Sequence, residues 1–383
     1  MMSAATPITS KFPLHVTRKH GMFLALLVQW SVFFFLSGGL FLGTRNFSNL
    51  VRQTCVTGVL SVGMLMVIVT GEIDLSVGSL VGVCGMVAVL MQTALQWNWV
   101  ASLLMGILVG IIVGALQGAL VAYANVPSFI VTLGGLLVWR GVTKGLSGGN
   151  TYPVEDYFFK SVGQSYLSAE AGIVLVALWI AIAGWWVVRD VRARRHHGLV
   201  QRVGWSIVLR IAGPSLLAAL FVGILNGYAG VPVPVLVLLC VALVGTVLMQ
   251  HTVFGRHLYA IGGNAEAAQL SGVRLPLHRL GVFIIMGALS AVAGIIYAAR
   301  VGSAGPDAGT LLELDAIAAC VIGGASLMGG RGSVLGACLG ALFMASLDNG
   351  MSLQNVPDFI QDIVKGVVLV SAVGLDVVGR QRK

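Results

Sequence analysis

From Thr54 to Leu95 the sequence stays apolar for about 42 residues, interrupted only by the acids Glu72 and Asp74. A helix needs about 20 apolar residues to cross a bilayer, so this stretch holds two spans. They meet where the charges fall, at Gly71-Glu-Ile-Asp-Leu-Ser-Val-Gly-Ser79. Asp74 or Ser76 can cap the second of them. The rest of the chain is built the same way. Only 10% of its residues are charged, against about 25% in a soluble domain, and its mean hydropathy is +0.94. Strands of a β-barrel would alternate with period two, whereas these runs are apolar throughout. The fold class is therefore an all-α polytopic membrane protein.

About twelve spans are expected in order. Met1–His20 is a polar tail and Met22–Leu42 the first span. That run follows a basic stretch, as a signal peptide does, but it is longer than a usual signal core and no A-x-A site follows. Thr44–Asn49 reads as a turn, and the two spans around Glu72 follow. Trp97 and Trp99 mark a membrane interface. Ala101–Tyr123 is a span, and the next runs from Pro127, suited to a first helical turn, to about Gly141. Lys144–Glu170 reads as a loop of mixed charge. Ala171–Val188 and Ser206–Tyr228 form a self-contained hairpin (residues 171–228). Val233–Gln250 and Leu280–Ala299 flank a polar island at 252–280. Arg300–Thr310 is a loop, Leu311–Leu327 a short or broken helix, and Met328–Gly332 a tight turn. Ser333–Leu347 is a span, Asn349–Pro357 a loop, Phe359–Val378 the last span, and 380–383 a tail. Residues 21–379 thus make one transmembrane domain.

The net charge of +9 comes from clusters at Lys11–His20, Arg189–Arg202, Arg256–Arg279 and Arg380–Lys383. In this topology all four lie on one side. Loops rich in Lys and Arg stay in the cytoplasm, so both termini are expected there. The basicity reads as topology and affinity for anionic headgroups, with no nucleic-acid partner. The five cysteines all lie in apolar runs, without a C-x-x-C. They read as small packing residues.

The polar island carries Arg256, Arg274 and Arg279 against one acid, Glu266. Its middle, Asn264-Ala-Glu-Ala-Ala-Gln-Leu270, is a strong helix former. Asn264 can cap it, Glu266 suits the positive dipole end, and Gly272 can end it. A helix of about two turns at the membrane surface is expected, after a bend at Gly262-Gly263. A short surface helix between two spans can seat in a groove of another protein and pass on its motion.

Glycines recur every four residues at Gly106, Gly110, Gly114 and Gly118, and again at Gly332, Gly336 and Gly340. Each set lies on one helix face and lets a neighbouring backbone approach closely. The motifs Glu72-Ile-Asp74 and Glu313-Leu-Asp315 each open an apolar helix, on opposite sides of the membrane, as an inverted internal repeat would place them.

No phosphate loop, H-E-x-x-H, G-x-S-x-G or His/Cys cluster is present, so no catalytic, metal or cofactor residues are assigned. His196 and His197 read as solvated. Acids near apolar runs are functional candidates, here Glu72, Asp74, Glu313, Asp315 and Asp348. Helix capping competes with gating or a proton relay as their role. A neutral ligand with many hydroxyls would need uncharged polar groups along its path. Gln117, Asn125, Ser128, Phe129, Thr132 and Asn349 are candidates, against a packing role for each.

The motifs at Glu72–Ser79, Val126–Leu133, Gly255–Val273, Glu313–Gly324 and Leu347–Ser352 stand in the order found in the membrane permease subunits of bacterial sugar ABC importers. The chain resembles the ribose, xylose and arabinose group of that family over nearly its whole length. The extra hairpin, preceded by Gly163-Gln-Ser-Tyr-Leu167, is most similar to the xylose permeases. The resemblance implies a permease of the bacterial inner membrane, carrying D-xylose or a related pentose, that is not itself an enzyme. It implies a homodimer, a separate tandem-type ATPase holding ATP and Mg²⁺, and an extracytoplasmic sugar-binding protein. Carried over residue by residue, the ATPase contact falls on Gly263, Asn264, Ala265, Glu266 and Ala267. Arg140, Lys144 and Arg300 are basic candidates for meeting the binding protein. Two rival readings are a proton-coupled sugar transporter using Glu72, Asp74, Glu313 or Asp315, and a membrane scaffold without a path.

Overall fold

Fifteen α-helices make up the described residues, 14–196 and 205–381, of a computed structural model. They are α1 (Leu14–Leu36), α2 (Thr44–Val69), α3 (Val77–Thr93), α4 (Trp99–Ala122), α5 (Ser128–Ser147), α6 (Tyr157–Gln164), α7 (Ala169–His196), α8 (Trp205–Asn226), α9 (Val233–His251), α10 (Val253–Gly263), α11 (Ala265–Leu270), α12 (Leu275–Val301), α13 (Leu312–Ile322), α14 (Val334–Leu353) and α15 (Asp358–Gln381). Two short strands, β1 (Tyr152–Pro153) and β2 (Ser303–Ala304), pair antiparallel with Tyr152 opposite Ala304. Among the described residues, six helices are long and apolar enough to cross a membrane, and four shorter apolar ones accompany them.

A helix that is apolar all round must be buried. α2 is the clearest case: every residue from Thr54 to Val69 is buried. α4 is different. Leu104, Leu108, Ile112, Leu116 and Leu120 face outward, while Gly106, Gly110, Gly114 and Gly118 lie buried on the other side. A Cβ at Gly110 or Gly114 would strike the carbonyl oxygens of Gly287 and Phe283 on α12. Gly336 and Gly340 work alike on α14, since a Cβ at either would strike the carbonyls of Gly323 and Ala319, whereas Gly332, expected on the same helix face, lies before the Ser333 cap of α14 and against Leu65. Both faces serve close backbone packing, as their spacing predicts.

The inverted repeat is visible in the packing. α3 packs on α12, α4 and α5, and α13 packs on α2, α14 and α15. α4 packs on α12, and α14 packs on α2. Exchanging α2–α5 with α12–α15 preserves every one of these contacts. The two units run oppositely: the C-terminus of α2 and the N-terminus of α12 both lie near α10 and α11. Each unit contains an interruption. Residues 70–76 precede α3, and residues 302–311 precede α13. At 1.5 Å per residue α13 is only about 16 Å long, half a bilayer.

Several expectations need correction. α1 begins at Leu14, inside the expected tail, and ends at Leu36. Thr44–Asn49, read as a turn, opens α2; Asn349–Leu353, the start of the expected loop Asn349–Pro357, and Asp348 before it lie inside α14. One reason covers both. Asn46 and Asn349 satisfy each other across the two helices, with Nδ2–Oδ1 distances of 2.7 and 3.1 Å, so neither needs water. α5 continues past Gly141 to Ser147. The expected loop at 144–170 contains β1 and α6, capped by Asp156 accepting from Phe159 N at 2.8 Å. The two E-x-D motifs occupy different places in their units: Glu72 and Asp74 lie in the linker before α3, Glu313 and Asp315 in the first turn of α13. The hairpin is present as α7 and α8, with Phe221 and Leu225 of α8 packing on Phe47 and Val51 of α2. His197, Arg202, most of the N-terminal tail and the last two residues lie outside the described residues.

Candidate functional site

The polar island folds as two helices rather than one. Thr252 caps α10 by accepting from Gly255 N at 3.2 Å, and Asn264 caps α11 by accepting from Ala267 N at 2.9 Å. Gly272, at φ +87°, ends the turn after α11, where a residue with a Cβ would be strained. Ala268 packs with Ile261 and Val273 and fixes α11 to its neighbours. Gly263, Asn264, Glu266 and Ala267 face solvent, and Ala265 is half-buried. Leu270, unassigned from sequence, is 84% exposed beside them. An open groove of about 470 Å³ continues this surface along Tyr123, Gln269, Arg274 and Leu277.

Gly262 and Gly263 end α10 instead of forming the expected bend. At Gly262 the missing side chain serves contact: a Cβ there would strike the Val69 carbonyl, and Gly330 N donates to that same oxygen at 2.8 Å. Tyr259 Oη donates to the Gly332 carbonyl at 2.9 Å. Burial raises the pKa of that phenol, which keeps it a donor. Arg279 Nε lies 2.8 Å from Glu72 Oε1, an ion pair rather than an aligned hydrogen bond. His257 Nδ1 and His278 Nε2 lie 3.0 Å apart and join α10 to α12. The surface helices are thereby fastened to the end of α2, the linker 70–76 and the turn before α14.

The other end of that linker enters a buried polar junction. Asp74 Oδ1 accepts from Ser76 N at 2.9 Å and from Ser76 Oγ at 2.7 Å. Ser76 Oγ accepts from Gln117 Nε2 of α4 at 3.0 Å. From α5, Ser128 Oγ accepts from Ile73 N at 3.3 Å, and Thr132 Oγ1 lies 3.2 Å from the Ile73 carbonyl. Asp74, Ser76, Gln117, Ser128 and Thr132 are all buried. Glu313, also buried, lies against Gly78 one turn further along α3, so the interruptions of the two units meet here. Its Oε2 has no hydrogen-bond partner among the described residues.

Three of the six expected path residues, Gln117, Ser128 and Thr132, thus converge. Asn125, at φ +54°, and Phe129 are exposed and stand apart. Asn349 belongs to a separate cluster with Asn46 and Gln53. The acids also divide. Asp315 pairs with Lys365 at 3.6 Å, and Lys365 with Asp348 at 3.4 Å, away from Glu72. Sequence reasoning missed Ser76 as a hub, Tyr259, Lys365 and the Arg279–Glu72 pair. Each depends on contacts between residues distant in sequence.

Apolar helical units packed in inverted order, interrupted helices meeting at a buried polar junction, and a solvent-facing helix fastened to that junction define a membrane permease. The chain belongs to the family described as branched-chain amino acid transport system / permease component, which matches residues 46–193 and 200–373. It is 45% identical to the xylose transport system permease protein XylH of Escherichia coli (strain K12), over 94% of this chain and 92% of that protein. It is 44% identical to XylH of Haemophilus influenzae, over 94% and 96%. The ribose import permease protein RbsC of Escherichia coli (strain K12) is 35% identical over 92% of each chain. No solved structure matches the chain.

Proposed function

We propose that this chain is the transmembrane permease subunit of an ATP-driven sugar importer in the inner membrane, carrying D-xylose or a related pentose. One observation carries the mechanism: α11 is tied through Gly262 and Val69, and through Arg279 and Glu72, to the linker that holds Asp74 on Ser76. The cargo rests on the 45% identity to a xylose permease.

Gly263, Asn264, Ala265, Glu266 and Ala267 seat a separate ATPase, which holds the ATP and Mg²⁺; this chain holds no cofactor. Arg256, Arg274 and Arg279 favour the cytoplasm for that surface, with both termini on the same side. Closure of the ATPase moves α11, and the linker transmits the motion to α3, α4 and α5. Gln117, Ser128 and Thr132 then line or gate the path. A second copy completes it, and a sugar-binding protein delivers cargo at the opposite end. Glu72, Asp74, Glu313 and Asp315 act as helix-start and gating acids. A proton relay would need free carboxyls in series, whereas Glu72 and Asp315 face cations and Asp74 is bonded to Ser76.

Uptake of labelled xylose into proteoliposomes containing this chain, its ATPase and its binding protein tests the reading. ATP-dependent uptake indifferent to an uncoupler is expected. Uptake by this chain alone, abolished by an uncoupler, would select the proton-coupled alternative.

A further inference from the structure

Of the three basic candidates named for the binding protein, two are already engaged. Arg140 Nη1 donates to the Ala308 carbonyl at 2.8 Å, and Lys144 pairs with Asp307 at 3.3 Å. Arg300 is different, and it has a companion in Arg52 of α2, which the sequence left unassigned. Arg52 lies about 26 Å along α2 from Val69, and Arg300 about 38 Å along α12 from Leu275, at 1.5 Å per residue. Both therefore sit at the end opposite α10 and α11.

Neither guanidinium makes a hydrogen bond or ion pair among the described residues, and the Nε of each is buried without a partner. Each lies over a tyrosine ring instead, Arg52 over Tyr166 at 5.5 Å and Arg300 over Tyr297 at 6.0 Å. Stacking of this kind orients the planar group and leaves its N–H edges free. One segment supports both residues. Gly163 packs on the backbone of Arg300, and Gln164 Nε2 donates to the Ala299 and Arg300 carbonyls at 3.0 and 3.3 Å. Tyr166 follows two residues later, beneath Arg52. The segment is itself pinned: Leu167 N donates to the Val231 carbonyl at 2.8 Å, and Val233 N to the Ser165 carbonyl at 2.9 Å.

Two cations held half-buried near each other, without an anion, are unfavourable unless a partner completes them. The fork of a guanidinium fits a carboxylate bidentately. A neutral pentose offers no such group, and the ATPase surface is at the other end. We propose that Arg52 and Arg300 receive carboxylates of the extracytoplasmic sugar-binding protein and anchor it over the entrance, an inference that rests on the importer reading above.

The test is stimulation of ATP hydrolysis by xylose-loaded binding protein, with the permease–ATPase complex in phosphatidylcholine nanodiscs, at several salt concentrations. R52Q/R300Q should raise the half-saturating binding-protein concentration roughly tenfold and flatten its salt dependence, as loss of interfacial charge pairs does. R52K/R300K, which keeps both charges, should retain the salt dependence of the unmodified complex. K144Q should shift half-saturation less than about twofold, as loss of an exposed pair does. Unchanged half-saturation in R52Q/R300Q overturns the proposal. In a second set of nanodiscs that also carries phosphatidylglycerol, loss of bound phosphatidylglycerol from R52Q/R300Q in native mass spectrometry, with half-saturation unchanged, would assign the pair to a lipid headgroup and likewise overturns the proposal. If the unmodified complex is not stimulated at all, the importer reading itself fails, and the proposal with it.

Discussion

Arg279, in the first turns of α12, lies 2.8 Å from Glu72, in the linker between α2 and α3. The pair joins the element leaving the surface helices to the linker that ends on Asp74. Both side chains are mostly buried, at 28% and 13% exposure, so the attraction is less screened than at an open surface. E72Q should cost roughly 1–3 kcal/mol, since it leaves a partly desolvated guanidinium without its counter-charge. The functional effect should exceed the structural one. Xylose-stimulated ATP hydrolysis should fall severalfold while the protein still inserts and elutes as one species. E72R/R279E should recover part of the stimulation. Full stimulation in E72Q would show that this contact transmits nothing.

The spans were legible in the sequence because lipid imposes one simple demand, a long apolar run. α11 was legible because Asn264, Glu266 and Gly272 each satisfy a local rule of helix ends. What stayed hidden was long-range pairing. Asn46, Arg52 and Gln53 look like loop residues until Asn349 and Tyr166 are seen opposite them. Gly262-Gly263 looks like a bend until the Val69 carbonyl is seen against it. That the helix at 311–327 is short was legible from its sequence, but the reason was not: the preceding 302–311 segment lies on Gly78 and Gly82 of α3.

Ala267 N donates to Asn264 Oδ1 at 2.9 Å, the capping bond of α11. A267P removes that donor, and N264A removes the acceptor. Loss of a cap costs about 1 kcal/mol, a large share of the stability of a six-residue helix. Both variants should insert normally, hydrolyse ATP with the partner subunit, and show weakened xylose uptake per ATP. E266Q should weaken uptake less, because it preserves the cap. Equal uptake per ATP in A267P and the unmodified protein would remove α11 from the coupling route.

Asp74 separates the two transport readings. Its carboxylate accepts from Ser76 N and Ser76 Oγ at one buried oxygen. D74A leaves the buried Ser76 N without an acceptor, at roughly 1–3 kcal/mol, while Ser76 Oγ can still donate to Gln117 Oε1 at 3.1 Å. D74N retains an amide oxygen that can accept both bonds but cannot carry a proton. In the ATP-driven reading D74N keeps most xylose uptake and D74A loses most of it, with earlier aggregation on heating in detergent. A proton relay through Asp74 requires D74N to be as inactive as D74A. Uptake assays on the two variants side by side decide the matter.

Gly262 is where the surface helices touch the transmembrane core. A Cβ there would overlap the Val69 carbonyl, which also accepts from Gly330 N, and would press on Gly330 itself. These are backbone atoms, so no side chain can rotate away to relieve the clash. G262A must therefore push α10 off the end of α2 and off the turn before α14. Crowding a packed contact costs about 1–3 kcal/mol, which a bundle of this size should survive. The exposed face around Glu266 and Leu270 remains intact, so co-purification with the ATPase should persist. What should be lost is transmission: hydrolysis stimulated by xylose-loaded binding protein should drop toward the basal rate. A G262A complex that is stimulated as fully as the unmodified one would mean that motion reaches the junction by a route that does not pass through this glycine.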